Sequence, residues 1–316
     1  MSQQPAFEYL RHGQTPCFRL PLVDFARSRD TLYRGAGAVV LGVPFDAGTT
    51  YQPGARFAPY HVRRVSALIQ GWHPGLGVDV FRALRAVDGG NVVFPPFDRA
   101  AMRDAVQGEV GAVAAAGAVP VLIGGDHSVA LPALRAVAAV HDPVAVIHVD
   151  AHLDTSGAEV WGDDHHHGTP IRHAITEGLI APGQLHQIGL RGPWGGPDDG
   201  RLAAGHGGLR LGADDVAARG AAAVAAAIRG AIGDRPAYLT FDVDAIDPAY
   251  APGTGTPVPG GLTSREALAL IRGLAGIRLV GVDVVEIAPA LDHADLTCHL
   301  GAHLLFEAMA VIARSR

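Results

Sequence analysis

Cysteine is nearly absent: the 316 residues contain only Cys17 and Cys298. No Cys-x-x-Cys occurs, which excludes a zinc site built on thiolates. Two cysteines this far apart read as free thiols. Charged residues are also few, 18% against 48% hydrophobic, a balance that suits a globular chain with a large core. The net charge is −6, and no basic cluster is available to neutralise a nucleic-acid backbone, so no nucleic-acid partner is expected. No apolar run reaches the ~20 residues that cross a bilayer. The opening stretch "MSQQPAFEYLRHGQTPCFRLP" has neither the apolar core nor the basic flank of a signal peptide. The expectations are therefore no membrane partner and a cytoplasmic location. Histidine stands out by contrast, with 16 residues, several beside Asp or Gly rather than on helical faces.

Apolar runs alternate with helical stretches. "GAVVLGVPFD", "AVPVLIGGDHS", "PVAVIHVDAH", "LHQIGLRG", "GLRLGADDV", "PAYLTFDVD" and "IRLVGVDVVEIAP" read as strands, and "RALRAVDGG" as a short one. "APYHVRRVSALI", "DRAAMRDAVQGEVGAVAAAG" with its stop at Gly117, "VALPALRAVAAV", "TSREALALIRGLAG" and the last segment "LGAHLLFEAMAVIARSR" read as helices. The Ala-rich "DDVAARGAAAVAAAIRGAIG" reads as one helix on propensity. Strands that are apolar throughout imply a sheet covered on both faces. The expected fold is α/β: a three-layer α/β/α sandwich with a mostly parallel sheet of about eight strands. No linker or repeat divides the chain, so residues 1–316 form one expected domain, with 1–35 as an N-terminal extension packed on it.

Sites in such sheets form beyond the carboxyl ends of the strands. Asp126 and His127 follow one strand; Asp150, His152 and Asp154 follow the next; Asp242 and Asp244 follow a third; Glu286 follows a fourth. His127, Asp150, His152, Asp154, Asp242 and Asp244 would repel or strand one another without a positive group among them. A metal satisfies them. Four carboxylates and two imidazoles form a hard site favouring Mn²⁺, with Ni²⁺, Co²⁺, Fe²⁺ or Zn²⁺ possible and Ca²⁺ disfavoured. Six ligands exceed the need of one catalytic ion. Two ions sharing carboxylates use them well and lower the pKa of a water between them.

"GGDHS", "DAHLD" and "FDVDAIDPAYAPGTGTPVPGGL" occur in that order, and together they resemble the ureohydrolase family of arginases, agmatinases and guanidino-acid hydrolases. "YQPGARFAP" and "HHHGTPIRH" resemble its agmatinase-like branch, which includes guanidinobutyrase and proclavaminate amidinohydrolase. The resemblance implies an arginase-like fold, two Mn²⁺ per subunit and a trimeric or hexameric homo-oligomer. It implies His127, Asp150, Asp154 and Asp242 around the first ion and Asp150, His152, Asp242 and Asp244 around the second, with Asp150 and Asp242 bridging. It further implies that His167 shuttles protons, that Glu286 binds the substrate guanidinium, and that hydroxide attack on the guanidinium carbon releases urea and an amine. Asp154 would orient the nucleophile, and Asp126 would orient the turn or a ligand from behind.

Agmatine is the expected substrate. The loop with Glu159, Val160, Trp161, Asp163 and Asp164 is the expected distal pocket, where carboxylates would suit an ammonium and Trp161 would touch substrate. Guanidino acids such as 4-guanidinobutyrate, 3-guanidinopropionate or a proclavaminate-type compound are the alternative. A single-zinc amide deacetylase on a related scaffold and a non-catalytic paralogue stand further off, since no ligand position is lost. His165 and His166 read as surface or rim residues. Arg56 reads as a rim, subunit-contact or helix-entry residue. "GAGAVVLG" places its glycines before the strand and so is no dinucleotide fingerprint; "GTGTPVPGG" lacks the Lys-Ser/Thr of a phosphate loop.

Overall fold

Strands that are apolar on both faces need helices on both faces, and the chain supplies them. A computed structural model describes residues 16–26, 28–196 and 198–316, without the side chains at 29 and 30. Eight strands run β1 (Ala38–Gly42), β2 (Val87–Asn91), β3 (Val119–Ile123), β4 (Val144–Val149), β5 (Ile180–Leu190), β6 (Arg210–Gly212), β7 (Ala237–Asp242) and β8 (Leu279–Val285). They pair in the order β2-β1-β3-β8-β7-β4-β5-β6, every pair parallel. The expected three-layer α/β/α architecture is present.

Side chains along each strand alternate between two cores. Val39, Leu41, Val144 and Val146 face one core, which also holds Met102, Val106, Leu134 and Ile171 of α2 (Arg99–Ala115), α3 (Ala130–His141) and α4 (Pro170–Thr176). Ala38, Val40, Ala145 and Ile147 face the other. That second core is covered by α1 (Ala58–Ser66), α5 (Ala221–Ile232), α6 (Ser264–Gly273) and α7 (Leu296–Arg314). Two helix starts are fixed locally: Asp98 accepts the Ala101 N–H at 2.9 Å, and Thr263 and Glu266 cap α6 reciprocally.

Several local expectations need correction. The Ala-rich helix is two, Ala213–Arg219 and α5, because Gly220 sits at φ 80°, a left-handed conformation that ends the first helix. In "RALRAVDGG", Val80–Leu84 is helical; Arg85 at φ 46° ends it and the strand begins at Val87. The antiparallel ribbon Trp72–His73 with Val78–Asp79 was too short to show an apolar pattern. α7 is long and apolar enough to cross a membrane, with 19 residues and a mean hydropathy of 1.5. Its polar residues His299, His303 and Glu307 hide that run, and 78% of it is buried inside the fold, as befits a core helix. Buried Glu307 binds His73 at 2.9 Å and also Arg272.

Of the expected N-terminal extension, residues 1–15 lie outside the described residues. From there on, Cys17, Phe18 and Leu20 are buried, and Phe18 packs on Phe81 with ring centroids 5.1 Å apart. The Cys17 N–H donates to buried Asp88 at 2.7 Å, and Arg63 donates to the same carboxylate at 2.8 and 3.0 Å. Both cysteines are free and buried. Burial pushes the Cys17 thiol up to about 12, so it is inert as a nucleophile.

His186 on β5 gives the fold a pH limit. It is 1% exposed, and its Nδ1 accepts the Leu209 N–H at 3.2 Å. Burial lowers its pKa to about 4. A depressed histidine binds its proton more weakly when folded, so its stabilisation is complete above about pH 6.5 and is lost as pH falls towards 4. The loss approaches about 3 kcal/mol, from 1.36 kcal/mol per unit. Denaturant midpoints at equal metal content should therefore fall less between pH 7 and 4.5 in His186→Asn than in wild type. Parallel curves would show that His186 contributes nothing to acid sensitivity.

Candidate metal centre and active site

The strand order explains how residues far apart in sequence meet. β3, β8, β7 and β4 are consecutive neighbours at the centre of the sheet. Their carboxyl ends present His127, Glu286, Asp242 with Asp244, and Asp150 with His152 and Asp154 at one edge. The turn after β3 requires glycine: a Cβ on Gly125 would lie 1.7 Å from the Phe45 carbonyl oxygen.

Two donor groups form there, and they share Asp150. In the first, His127 Nδ1 lies 3.0 Å from Asp150 Oδ2, 2.9 Å from Asp154 Oδ2 and 3.3 Å from Asp242 Oδ2. In the second, His152 Nδ1 lies 3.4 Å from Asp150 Oδ1 and 2.9 Å from Asp244 Oδ2. Asp242 reaches the first group through Oδ2, while its Oδ1 accepts the Asp244 N–H at 2.8 Å. Apart from half-exposed His152, all six are buried. His127 Nδ1 and Asp154 Oδ2 are buried without a hydrogen-bond partner although they are close together. Atoms that approach this closely yet are not aligned for hydrogen bonding suit ligands converging on one cation. Oxygens ~2.1 Å from an octahedral ion lie about 3.0 Å apart, matching these spacings.

Protein groups alone compensate this charge poorly. Burial, then Asp244 and Asp150, push Asp242 well above the usual carboxylate range. Burial opposes a charge on His152, yet Asp244 and Asp150 raise it to about 12. The cluster thus draws positive charge from its imidazoles, and the site fits a binuclear metal centre.

Beside it lies a second pair. His167 Nδ1–H donates to Glu286 Oε1 at 2.9 Å, and the same oxygen accepts the His127 N–H at 2.8 Å. His167 Nε2 faces the Thr50 hydroxyl at 2.8 Å. Burial would lower His167, but Glu286 raises it to about 9. Glu286 and Asp154 hold left-handed backbone at φ 62° and 53°, strain of order 1–3 kcal/mol each of the kind stored at functional sites. Asp126 ties this wall together: Oδ2 accepts the Gly48 N–H at 2.7 Å, while Gly48 O accepts the His167 N–H at 3.0 Å. Burial and Glu286 raise Asp126 to about 6. Arg56 donates to Asp46, which also accepts the Gly54 N–H at 2.9 Å. Arg56 therefore closes the helix-entry loop that carries Thr50.

Thr50, His127, His152, Asp154, His167, Asp242 and Asp244 border a cavity of about 610 Å³ that is also lined by Glu159, Val160, Trp161, Arg172, Trp194, Asp198 and Asp199, while Asp150 and Glu286 are buried beside these groups. Two expected members do not line the cavity: Asp163 pairs with Arg99 at 2.8 Å, and the Asp164 carboxylate lies 3.7 Å from His173 Nε2, which donates to the Asp164 carbonyl at 2.6 Å. His166 is a wall residue instead of a rim one; it is 4% exposed and borders the cavity. Its Nδ1 accepts the Gly168 N–H at 3.1 Å.

Sequence reasoning missed His148 and Gln187. Gln187 Nε2 donates to Leu153 O and to His148 Nδ1, both at 3.0 Å. His148 therefore carries its proton on Nε2 and donates it to Asp150 Oδ2 at 2.8 Å. A signal existed for His148: two residues before Asp150 on a strand, it shares that residue's face. Gln187 gave none.

Comparison with known proteins places this geometry. The Arginase family model matches residues 36–311. Proclavaminate amidinohydrolase of Streptomyces clavuligerus is 44% identical over 302 residues, 94% of each chain. Mitochondrial agmatinase of Gallus gallus is 37% identical over 310 residues, 98% of this chain and 89% of its own. The solved structure of the Streptomyces clavuligerus proclavaminate amidinohydrolase superposes with a TM-score of 0.89 at 43% identity, covering 97% of this chain and 99% of that one. With two convergent donor groups, a carboxylate–histidine pair beside them and this match over most of its length, the chain belongs to the arginase family and is a hydrolase of C–N bonds in linear amidines.

Proposed function

We propose that this enzyme hydrolyses agmatine to urea and the corresponding amine, using two Mn²⁺ ions. His127, Asp150, Asp154 and Asp242 would hold one ion, and Asp150, His152, Asp242 and Asp244 the other. The observation that carries the chemistry is the pairing of Glu286 with His167 beside two donor groups that share Asp150. The bound pair of cations supplies charge compensation and a water of lowered pKa. Glu286 matches a guanidinium in bidentate geometry and fixes its carbon for attack. Asp154, besides holding the first ion, would accept a hydrogen bond from the water through its other carboxylate oxygen and orient it. His167, protonated up to about pH 9, delivers a proton to the departing amine.

Along the cavity lining, Glu159 and Trp161 favour an ammonium through charge and an aromatic face, whereas Asp198 pairs with Arg201, Asp199 accepts the Gly195 N–H at 2.6 Å and Arg210 lies 5.6 Å over the Trp194 ring. Arg191 adds little to this lining, because its guanidinium donates to the carbonyls of Asp244, Ala245 and Val258. Arg172 favours the second reading, a guanidino acid, because it borders the same cavity and lies 3.8 Å from Glu159, beyond a direct hydrogen bond.

Urea release with Mn²⁺ supplied separates the two. Agmatine should give the highest kcat/KM among agmatine, arginine, 4-guanidinobutyrate, 3-guanidinopropionate and free guanidine. Glu159→Gln should lower the agmatine value a few-fold, as befits an exposed charge contact. A carboxylate-ended compound preferred by a large factor, and lost about 10-fold or more in Arg172→Gln, would replace the substrate and leave the chemistry. No urea from any of them, with two ions bound, would sink the function.

A further inference from the structure

Asp283 is a buried carboxylate in a central strand, and nothing in the chemistry above uses it. It is 0% exposed on β8, next to β7 in the sheet. Two hydroxyls converge on it: Tyr238 donates to Oδ2 at 2.7 Å and Thr240 donates to Oδ1 at 2.6 Å. The Thr240 oxygen in turn lies 2.8 Å from His127 Nε2. Tyr238, Thr240 and His127 are 0%, 0% and 1% exposed. Four buried side chains therefore form one unbroken chain of hydrogen bonds that ends on an imidazole of the first donor group.

Hydrogen-bond direction along this chain is determined. The Thr240 hydroxyl has one proton, and it points at Asp283. Thr240 can then only accept from His127, so the imidazole proton sits on Nε2. With a cation bound, Nδ1 would then present its lone pair on the side of Asp150, Asp154 and Asp242. Burial raises the Asp283 carboxyl, while His127 and the two donated hydroxyls lower it. Both of its oxygens are already occupied as acceptors. Without Asp283, the Thr240 proton is free to turn towards His127, the Nδ1–H tautomer becomes competitive, and a proton then occupies the ligand position. Gly281 makes room for the last member, since a Cβ there would lie 2.5 Å from the Tyr238 ring.

We infer that Asp283, supported by Tyr238, is a positioning residue that locks His127 into the tautomer able to bind the first cation. The inference rests on reading His127 as a metal ligand. Partners that orient a ligating histidine typically contribute 10- to 100-fold in metal affinity.

The test compares wild type with Asp283→Asn, Thr240→Val, Thr240→Ser and Tyr238→Phe. Bound Mn²⁺ per chain is measured under chelator competition, and nitrogen-resolved NMR of the Zn²⁺-loaded proteins reports the His127 tautomer. Asp283→Asn and Thr240→Val should weaken one site about 10- to 100-fold and spare the other. Thr240→Ser should restore it, and Tyr238→Phe should fall between. Thr240→Val with its serine rescue decides the matter if Asp283→Asn does not fold. Two ions bound at wild-type affinity in Thr240→Val would overturn the relay alone. So would loss of both sites in proportion to melting temperature, with serine no better than valine. A wild type that binds no divalent cation would overturn the metal reading with it.

Discussion

Asp150→Asn is expected to abolish binding of both cations and to lower urea release at least about 10³-fold. Asp150 is shared by the two donor groups found among the described residues, through Oδ2 towards His127 and Oδ1 towards His152. Charge stabilisation of several kcal/mol disappears with the cations, at 1.36 kcal/mol per tenfold in rate. Asparagine is isosteric, and its Oδ1 can still accept the His152 N–H that Asp150 takes at 2.6 Å, so the fold should survive. Removing one carboxylate also relieves Asp242 and Asp244, both raised by burial and by Asp150. The metal-free variant should nevertheless melt below metal-free wild type, because, against burial, His148, His127 and His152 hold Asp150 charged well below the usual carboxylate range and the asparagine amide would face the His148 N–H, while Mn²⁺ stabilises only the wild type. Calorimetry with and without Mn²⁺ checks this. An asparagine variant that keeps two ions and wild-type turnover contradicts the shared-carboxylate centre.

Glu286→Gln is expected to lower kcat/KM by about 10²–10⁴, the range of a positioned acid–base partner, because two functions fail together. The substrate loses a charge-matched acceptor, and His167 loses the carboxylate that raises it. Burial lowers His167 and Glu286 overcomes that, giving about 9. A raised histidine keeps its charged form through its ordinary range near 6.5 and loses it as pH rises through about 9. In wild type the alkaline limb of kcat/KM, which reports the free enzyme, should fall there. In Glu286→Gln burial acts without Glu286, so the limb should move to lower pH. A limb at the same pH in both proteins would mean that another group donates the proton.

Much of this site was legible because its parts are local. Asp150, His152 and Asp154 lie within five residues, and a strand followed by a turn leaves them little freedom to diverge. What failed to read was long-range. The loop carboxylates Asp163 and Asp164 looked equivalent to Glu159, yet Arg99 pairs with Asp163 and His173 lies 3.7 Å from the Asp164 carboxylate, both brought in from helices. His166 looked like a surface residue beside His167, and packing buries it. Gln187 and Asp283 act only through partners on neighbouring strands.

By itself the sequence determined which groups bind and which segments become strands, because side-chain chemistry and apolar periodicity are properties of short stretches. Tertiary structure decided which strands are neighbours. The parallel sheet puts residues 127, 286, 242 and 150 at one edge, and the order β3-β8-β7-β4 makes them neighbours there. Backbone pairing is nearly blind to side-chain identity, so that order is selected by helix packing on both faces of the whole sheet, which no local stretch encodes.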